Sequence, residues 1–183
     1  MSLKIQQTEI LDVLKISSEK FTDGRGFFLE KYKKSDFDSI GINCDFVQLN
    51  HSFSKKGVLR GLHIQRWPKE QGKLVTVVKG KILDVAVDIR PNSTTFKKYA
   101  QAILSDENNM SLWIPKGFAH GFFALDDSNV IYLATDEFSI EHDSGIRWDD
   151  PEINIKWPTR NPTLSEKDKN LKTLNELVTE GVL

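Results

Sequence analysis

"KILDVAVDIR", residues 81–90, is the most strand-like stretch of the sequence and decides the class of fold. Its large aliphatic residues fall on one face of an extended chain, at Leu83, Val85, Val87 and Ile89. The other face carries Asp84, Ala86 and Asp88. Because side chains of a β-strand alternate with a period of two, this pattern predicts a strand with one strongly apolar face.

Similar short apolar segments follow one another from about residue 8 to residue 158, with turn signals between them. The other predicted strands are "VLRGLHIQ", "KLVTVVKG", "LWIP", "HGFFAL" and "VIYLAT". The turn signals are "TDGRG", "FSKKG", "RPNS" and "LDDSN". This rhythm is typical of an all-β sandwich or barrel.

Helical patterns occur at "KSDFDSIG", residues 34–41, and at "LSEKDKNLKTLNELV", residues 164–178. In the second stretch Ser165 is the predicted N-cap, and the apolar residues recur at helical spacing as Leu171, Leu174, Leu177 and Val178. No repeat or linker interrupts the chain. We therefore predict one domain over residues 1–183, with short helices and a C-terminal helical tail.

Composition narrows the class of partner. A chain of 183 residues with a net charge of −1 has no overall field that favours nucleic acid or an anionic membrane, so a small polar metabolite is expected. Cys44, the single cysteine, has no internal disulfide partner. The start "MSLKIQQTEI" lacks a secretory or transit pattern, and no apolar run approaches the roughly 20 residues that span a bilayer. We expect a cytoplasmic protein that is not in a membrane.

Two of the four histidines lie in unusual company. His63 shares the apolar segment "GVLRGLHIQ" with Arg60, and His120 lies in "WIPKGFAHGF". Cationic and titratable groups inside apolar strands are costly unless they are paired or used. A functional pair and two ordinary, hydrogen-bonded histidines are both compatible with this pattern.

The spacing around these histidines resembles the two motifs of the cupin superfamily, which are small jelly-roll β-barrels. The residues that match are Gly57, His63, Gln65 and Glu70 in the first motif and Pro115, Gly117 and His120 in the second. Gln65 stands where the first motif has its second histidine, and an amide is a poor substitute for imidazole as a metal ligand. Lys73 would repel a cation at this place. The sequence therefore predicts a cupin-type barrel without a metal or other cofactor.

A closer resemblance covers residues 21–168. The segments that carry it, in order, are "FTDGRGFFLE", "FVQLNHSFSKKGVLRGLHIQ", "QGKLVTVVKGKILDVAVDIRPNSTTF", "LWIPKGFAHGF", "IRWDDPEINIKWP" and "LSEKD". Together they resemble the dTDP-4-dehydrorhamnose 3,5-epimerase family. The resemblance implies an isomerase that converts dTDP-4-dehydro-6-deoxy-D-glucose to dTDP-4-dehydro-L-rhamnose, in dTDP-rhamnose biosynthesis.

The same resemblance assigns four catalytic residues. Removing a proton beside a ketone requires a base, a cation or donor at the enolate oxygen, and an acid on the opposite face. His63 resembles the base, Lys73 the enolate stabiliser and Tyr132 the acid. Asp168 resembles the carboxylate that orients the base. Asp84 is expected to support the site from behind, with Lys73 or a histidine as its partner.

Ordinary structural roles remain open for these residues when they are judged by pattern alone. Tyr132 is compatible with a buried strand aromatic, and Lys73 with a solvated lysine at the start of a strand. Asp168 stands three residues after Ser165, where a capping-box acid lies.

For the nucleotide sugar, the resemblance assigns a larger set of binding residues. Arg25 and Arg60 resemble phosphate ligands, and arginine suits that role because its fork donates two hydrogen bonds. Phe28 and Phe138 align with the aromatic pair that sandwiches thymine. The remaining binding residues are Gln48, Asn50 and His120 at the substrate and Glu30 near the thymidine.

Arg60 and His63 are an odd number of residues apart, so a regular strand would point them to opposite faces. We therefore predict an irregularity at Gly61. The resemblance also implies a homodimer in which "GRGFFLEKY", residues 24–32, crosses to the neighbouring subunit.

Three classes of function remain at this point: the metal-free epimerase, a metal-dependent cupin enzyme with ligands His63, Gln65, Glu70 and His120, and a sugar- or nucleotide-binding cupin without activity. Insensitivity to chelators separates the first from the second, and turnover separates the first from the third. Within the first class, relatives that invert only one carbon have similar motifs. The presence of Tyr132 favours two inversions.

Overall fold

The computed structural model describes residues 3–183, which form two large antiparallel sheets and a small separate hairpin. The six-stranded sheet has the order β1-β2-β10-β7-β12-β5. Its strands are β1 (Leu3–Gln7), β2 (Leu14–Ser18), β5 (Gln48–Ser54), β7 (Lys73–Lys79), β10 (Met110–Ile114) and β12 (Ser128–Ala134). The predicted all-β class is confirmed.

The five-stranded sheet has the order β13-β6-β11-β8-β9. Its strands are β6 (Leu59–Gln65), β8 (Lys81–Asp88), β9 (Tyr99–Ser105), β11 (Phe118–Ala124) and β13 (Asp143–Gly145). The hairpin consists of β3 (Phe21–Asp23) and β4 (Gly26–Phe28). No helix in residues 3–183 has the length and apolar character needed to cross a bilayer.

Strand β8 shows how the core is divided. Ile82 and Ala86 belong to a cluster between the two sheets, with side chains from β7, β9, β10, β11 and β12. Leu83, Val85 and Val87 belong to a second cluster, which the C-terminal segment covers through residues such as Leu174 and Leu177. The alternation predicted for residues 81–90 is therefore present, but both faces are buried, and Asp84 lies with the inner one.

The predicted first helix is present as α1 (Lys34–Ser39), which buries Phe37. The predicted C-terminal helical tail is present, but the helical pattern over residues 164–178 does not form one helix. The chain forms two short helices, α2 (Glu166–Lys169) and α3 (Leu174–Thr179), with Leu171 between them. Ser165 caps α2 as predicted, through a 3.1 Å hydrogen bond from the Asp168 amide.

Competing hydrogen bonds explain the break between α2 and α3. The carbonyl of Lys172 accepts a 2.8 Å hydrogen bond from the Arg147 amide, and Lys172 forms an isolated parallel bridge with Ile146. Thr173 then starts a new helix with a capping box to Glu176. Helical periodicity continues through this segment, but the backbone is engaged elsewhere, and Val178 is left exposed.

The predicted irregularity in β6 is confirmed at Gly61. His63 lies opposite His120 of β11 and Arg60 lies opposite Phe122, so three steps of β6 match two of β11. Gly61 has a φ of +124°, in the left-handed region that favours glycine. The extra residue brings Arg60 and His63 to the same face, the one directed between the sheets.

Replacing Gly61 by alanine is expected to destabilise the protein by about 3 kcal/mol, because a positive φ and steric overlap act together. A Cβ atom there would lie 2.6 Å from the Cα atom of Gly121. Urea unfolding measures the loss. Gly24→Ala is the matched control, because a Cβ at Gly24 meets no atom within 4 Å. Equal stability of the two variants would contradict the prediction.

Candidate active site

The candidate site lies on the inner face between the two sheets. Strand register places Tyr132 of β12 beside Asn50 of β5 on one side and Val75 of β7 on the other. Directly paired residues of neighbouring strands point to the same face. Val75 belongs to the inner cluster, and Tyr132 packs against that cluster. The six-stranded sheet therefore presents Tyr132 and Asn50 to the interior.

His63 and Asp168 join the C-terminal tail to the barrel through a short hydrogen bond. The Nε2 atom of His63 lies 2.7 Å from Oδ1 of Asp168, which is buried, whereas the His63 side chain is 34% exposed. Helix α2 delivers the carboxylate, because Ser165 caps that helix and turns its first residues toward β6. Asp168 thus fixes the Nε2 side of the His63 ring, and part of the ring remains accessible.

The charge of Asp168 determines the tautomer of His63. Burial alone would raise the pKa of this carboxyl, but hydrogen bonds from His63, Ser165 and the Gly61 amide outweigh it, and the pKa falls below its ordinary value. An ionised carboxylate accepts hydrogen bonds only, so Nε2 of His63 carries the proton. Nδ1 is then the atom with a free lone pair.

A second histidine–carboxylate pair lies beside the first. Nε2 of His120 is 2.7 Å from Oδ1 of Asp84, and both side chains are buried. Burial lowers the pKa of His120 despite the opposing charge of Asp84, so its imidazole is neutral near pH 7. Of the two alternatives expected for Asp84, Lys73 or a histidine, the hydrogen-bond partner is therefore a histidine, His120. The other carboxylate oxygen of Asp84, Oδ2, has no hydrogen-bond partner in the described structure.

Lys73 and Tyr132 lie on the opposite sheet from His63. The Nζ atom of Lys73 is 5.9 Å from the centre of the Tyr132 ring. Burial lowers the pKa of Lys73 to about 8, although the charges of Asp84 and Asp143 partly restore it. Burial raises the pKa of the Tyr132 phenol, and Arg60 opposes the shift. Both groups therefore carry their protons near pH 7.

This arrangement can move a proton across a flat substrate. The imidazole of His63 is on β6 of one sheet and the protonated phenol of Tyr132 is on β12 of the other, with an ammonium group nearby that can stabilise a developing oxyanion. Lys73 is half-buried, whereas a solvated lysine at the start of a strand would be exposed.

Arg60 lies at the exposed mouth of the barrel. Its Nε donates to Oγ of Ser54 at 2.9 Å, and its NH2 group donates to the carbonyl of Phe53 at 3.0 Å. Ser54, which supports this guanidinium, is not among the residues predicted from the sequence, since a serine in a strand gives no distinctive signal.

The predicted binding residues Gln48 and Asn50 form a hydrogen bond with each other, and Gln48 also accepts one from the backbone of Phe138. Nε2 of Gln48 donates to Oδ1 of Asn50 at 3.0 Å, and Oε1 of Gln48 accepts from the amide of Phe138 at 2.7 Å. The Phe138 side chain itself is exposed. Gln48 therefore anchors the Phe138 backbone, a role that the sequence pattern did not indicate.

Three predicted binding residues lie away from the inner face of the barrel in the described part of the chain. They are Arg25, Phe28 and Glu30. Arg25 and Phe28 lie on the β3–β4 hairpin, which pairs with neither large sheet. Arg25 forms an exposed ion pair with Asp23, at 2.6 Å. Glu30 follows the hairpin and is half-buried.

The cupin metal positions are engaged in other contacts. Nε2 of His63 and Nε2 of His120 each face a carboxylate, and the Gln65 amide donates to the carbonyls of Lys69 and Glu137. Within residues 3–183, no group of three or more His, Cys, Asp or Glu side chains could hold a metal ion. Because Gln65 points its donors at backbone carbonyls, this donor set does not fit a cupin metal.

The two-sheet barrel belongs to the class of cupin-like jelly rolls. A crystal structure of the dTDP-6-deoxy-D-glucose-3,5-epimerase of Legionella pneumophila in complex with dTDP-4-keto-L-rhamnose is 43% identical to this chain, with a TM-score of 0.95. The match covers 100% of this chain and 97% of that one. The predicted cupin-type fold is confirmed.

Sequence comparison then gives the family. The family model described as dTDP-4-dehydrorhamnose 3,5-epimerase matches residues 7–176. The epimerase of that name from Shigella flexneri is 49% identical over 170 residues, which is 92% of this chain and 94% of the relative. The one from Escherichia coli is 49% identical over 179 residues, 96% and 97% of the two chains. The chain belongs to the dTDP-4-dehydrorhamnose 3,5-epimerase family, a family of isomerases.

Lys73 is expected to titrate near pH 8, below the ordinary range of lysine, because its charged form is buried. Reductive ¹³C-methylation of the lysines followed by an NMR pH titration measures this, and Lys73→Met identifies the resonance. Lys31, whose pKa burial also lowers to about 8, is assigned separately with Lys31→Met. A Lys73 resonance that titrates near pH 10.5 would contradict the prediction.

Proposed function

We propose that this chain epimerises dTDP-4-dehydro-6-deoxy-D-glucose at carbons 3 and 5 and produces dTDP-4-dehydro-L-rhamnose. The observation that carries the proposal is the His63–Asp168 pair, at 2.7 Å, facing Lys73 and Tyr132 on the opposite sheet. Membership of the epimerase family supplies the substrate class.

The proposed reaction begins at Nδ1 of His63. This atom takes the proton from the carbon beside the 4-ketone, and the C–H electron pair becomes part of an enolate. Asp168 stabilises the imidazolium that forms, while the ammonium of Lys73 stabilises the enolate oxygen. Tyr132 then donates its proton to the same carbon from the opposite face, which inverts the centre. His63 then releases its proton to solvent and Tyr132 takes one up, after which the same two proton transfers occur at the second carbon.

Nucleotide binding is proposed for the exposed groups at the mouth. Arg60 is oriented by Ser54 and by the Phe53 carbonyl, so that its guanidinium is fixed at the barrel mouth toward a diphosphate. Asn50 and His120 lie on the inner face, where the sugar would bind. The exposed ring of Phe138 would stack on thymine.

A homodimer is proposed to complete the site. The β3–β4 hairpin exposes Phe21, Phe27 and Phe28 with no sheet to pack on, and β5 is an edge strand whose outer face exposes Leu49 and Phe53. Apolar edges of this kind favour association with another chain. A second copy would bury both surfaces and receive Arg25, Phe28 and Glu30 beside its own barrel mouth.

The metal-dependent alternative has less support, because the Gln65 amide and both histidine Nε2 atoms are already engaged. Activity that survives exhaustive treatment with chelators is expected. The single-domain organisation and the cytoplasmic location predicted from the sequence stay predictions.

Incubation with dTDP-4-dehydro-6-deoxy-D-glucose in heavy water tests the proposed reaction. Deuterium is expected at both carbon 3 and carbon 5, because each inversion replaces a carbon-bound proton with one from a group that exchanges with solvent. NMR reads the two positions separately. Uptake at one carbon alone would make the chain a mono-epimerase, and no uptake would refute the proposal.

Variants of the site separate the proposed roles. Asp168→Asn is expected to slow exchange about a hundredfold or more, because the asparagine amide cannot stabilise the imidazolium. Tyr132→Phe is expected to retain exchange through His63 but to lose inversion, since the acid on the far face is gone. Circular dichroism checks that each variant is folded.

Mixing two inactive variants tests the shared site. His63→Ala chains would keep an intact hairpin, and Arg25→Ala/Phe28→Ala chains would keep an intact barrel. Random pairing gives half mixed dimers with one complete site each, so about a quarter of wild-type activity is expected. Mixing His63→Ala with Lys73→Met, which lie in the same barrel, should restore nothing. No recovery in the first mixture would contradict the exchange.

A further inference from the structure

The connection between β12 and β13 is an irregular loop that the barrel holds tightly. We call residues 136–142 the Phe138 loop. Phe138 and Ile140 are its exposed apolar side chains, at 56% and 78%. An exposed aromatic ring on an irregular segment would usually move freely, but this backbone is tied down from one side.

Gln65 provides the central ties. Its Nε2 donates to the carbonyl of Glu137 at 2.8 Å and also to the carbonyl of Lys69, while its Oε1 accepts from the amide of Ser139 at 2.8 Å. The two loop contacts flank Phe138 on both sides. The amide between them, that of Phe138, donates to Gln48.

Neighbours of Gln65 hold the two ends of the loop. Lys69 lies 3.1 Å from a carboxylate oxygen of Asp136, and Gln71 donates to the Asp136 carbonyl at 2.7 Å. Arg66 donates to the carbonyl of Glu141 at 2.6 Å. All of these anchors follow directly after β6, the strand that carries His63.

Gln65 is well placed to connect the loop to the catalytic strand. It is 8% exposed and lies two residues after His63 on β6, so both side chains point to the same face. Its amide contacts the backbone of Lys69 on one side and of Glu137 and Ser139 on the other. A change in the hydrogen bonding of Gln65 would therefore affect the Phe138 loop directly and the reacting atoms only indirectly.

We propose that Gln65 is a positioning residue that holds the Phe138 loop so that the Phe138 ring is preorganised to stack on the nucleotide base. The inference rests on the proposed function, because it takes the stacking role of Phe138 from there. Gln65 stands where the cupin motif has its second, metal-binding histidine. In this chain its side-chain amide would instead position the loop that binds the nucleotide.

The loop requires an amide in this position. A glutamine side chain donates two hydrogen bonds and accepts one here. Glutamate has the same shape and keeps the acceptor for Ser139, but it loses both donors and sets a carboxylate against two carbonyls. Gln65→Glu is therefore expected to release the Glu137 side of the loop while it changes little else.

A double-mutant cycle on dTDP binding tests the inference. Isothermal titration calorimetry gives Kd for the wild type, Gln65→Glu, Phe138→Ala and the double variant. Gln65→Glu is expected to weaken dTDP binding about tenfold, because the ring must be ordered on binding. In the Phe138→Ala background the same change should have an effect of less than about twofold. Gln6→Glu, an identical change on exposed β1, is the matched control and should bind like the wild type.

Kinetics and hydrogen exchange supply readouts that a general loss of stability would not produce. KM for the nucleotide sugar should rise about tenfold in Gln65→Glu, with kcat within about threefold of the wild type. Amides of the Phe138 loop should exchange faster, and those of β8 and β11 should not. If Gln65→Glu does not fold, Gln65→Met replaces it, since it fills the same volume and removes the same donors.

The outcomes distinguish the positioning role of Gln65 from the proposed stacking role of Phe138. Effects of Gln65→Glu and Phe138→Ala that multiply would overturn the inference, because Gln65 would then act independently of the ring. Unchanged dTDP binding in Phe138→Ala would instead refute the stacking role in the proposed function. A fall in kcat with unchanged KM would also overturn the inference and assign Gln65 to the chemistry of His63.

Discussion

The contact between the backbones of Gly61 and Gly121 is the constraint on which the site depends. The two strands approach so closely that a Cβ atom on Gly61 would lie 2.6 Å from the Cα atom of Gly121. This approach accommodates the extra residue of β6, and the extra residue turns Arg60 to the face that His63 occupies. A regular strand would place either the cation or the imidazole in the outer core, where neither has a partner. The chemistry thus depends on a local defect in the sheet.

Once these side chains share the interior, their charges must be balanced in a poorly solvated space. Asp84 and Asp168 each accept a hydrogen bond at 2.7 Å from a histidine, and Lys73 keeps a pKa of about 8 because Asp84 opposes the effect of burial. Asp88, on the same strand as Asp84, is handled differently. Arg90, Ser93 and Thr95 satisfy it completely, and they lower its pKa to about 2 against the effect of burial. Asp84 therefore supports the site residues, whereas Asp88 stabilises the turn that follows β8.

Much of the fold follows from patterns local in sequence. Alternation in residues 81–90 predicts the strand, and the odd spacing of Arg60 and His63 predicts the irregularity at Gly61. The C-terminal tail shows where such patterns fail. Its leucines have helical spacing, but the carbonyl of Lys172 accepts a hydrogen bond from the Arg147 amide, and the helix is interrupted there. Among the site residues, the motifs identify His63, His120 and Asp168, whereas the support of Arg60 by Ser54 and of the Phe138 loop by Gln48 and Gln65 has no signal in the sequence.

The all-β class, the strand that carries the base and the family can be predicted from the amino-acid sequence, because periodicity and motif spacing are properties of neighbouring residues. Which side chains come into contact depends on how the chain packs. Asp168 lies 105 positions from His63 and reaches it at 2.7 Å through the packing of the tail on β6. The loop that carries Phe138 is held by residues more than 60 positions away, such as Gln71. Hydrogen bonds of this kind depend on distance and angle in the folded chain, and no local pattern encodes them.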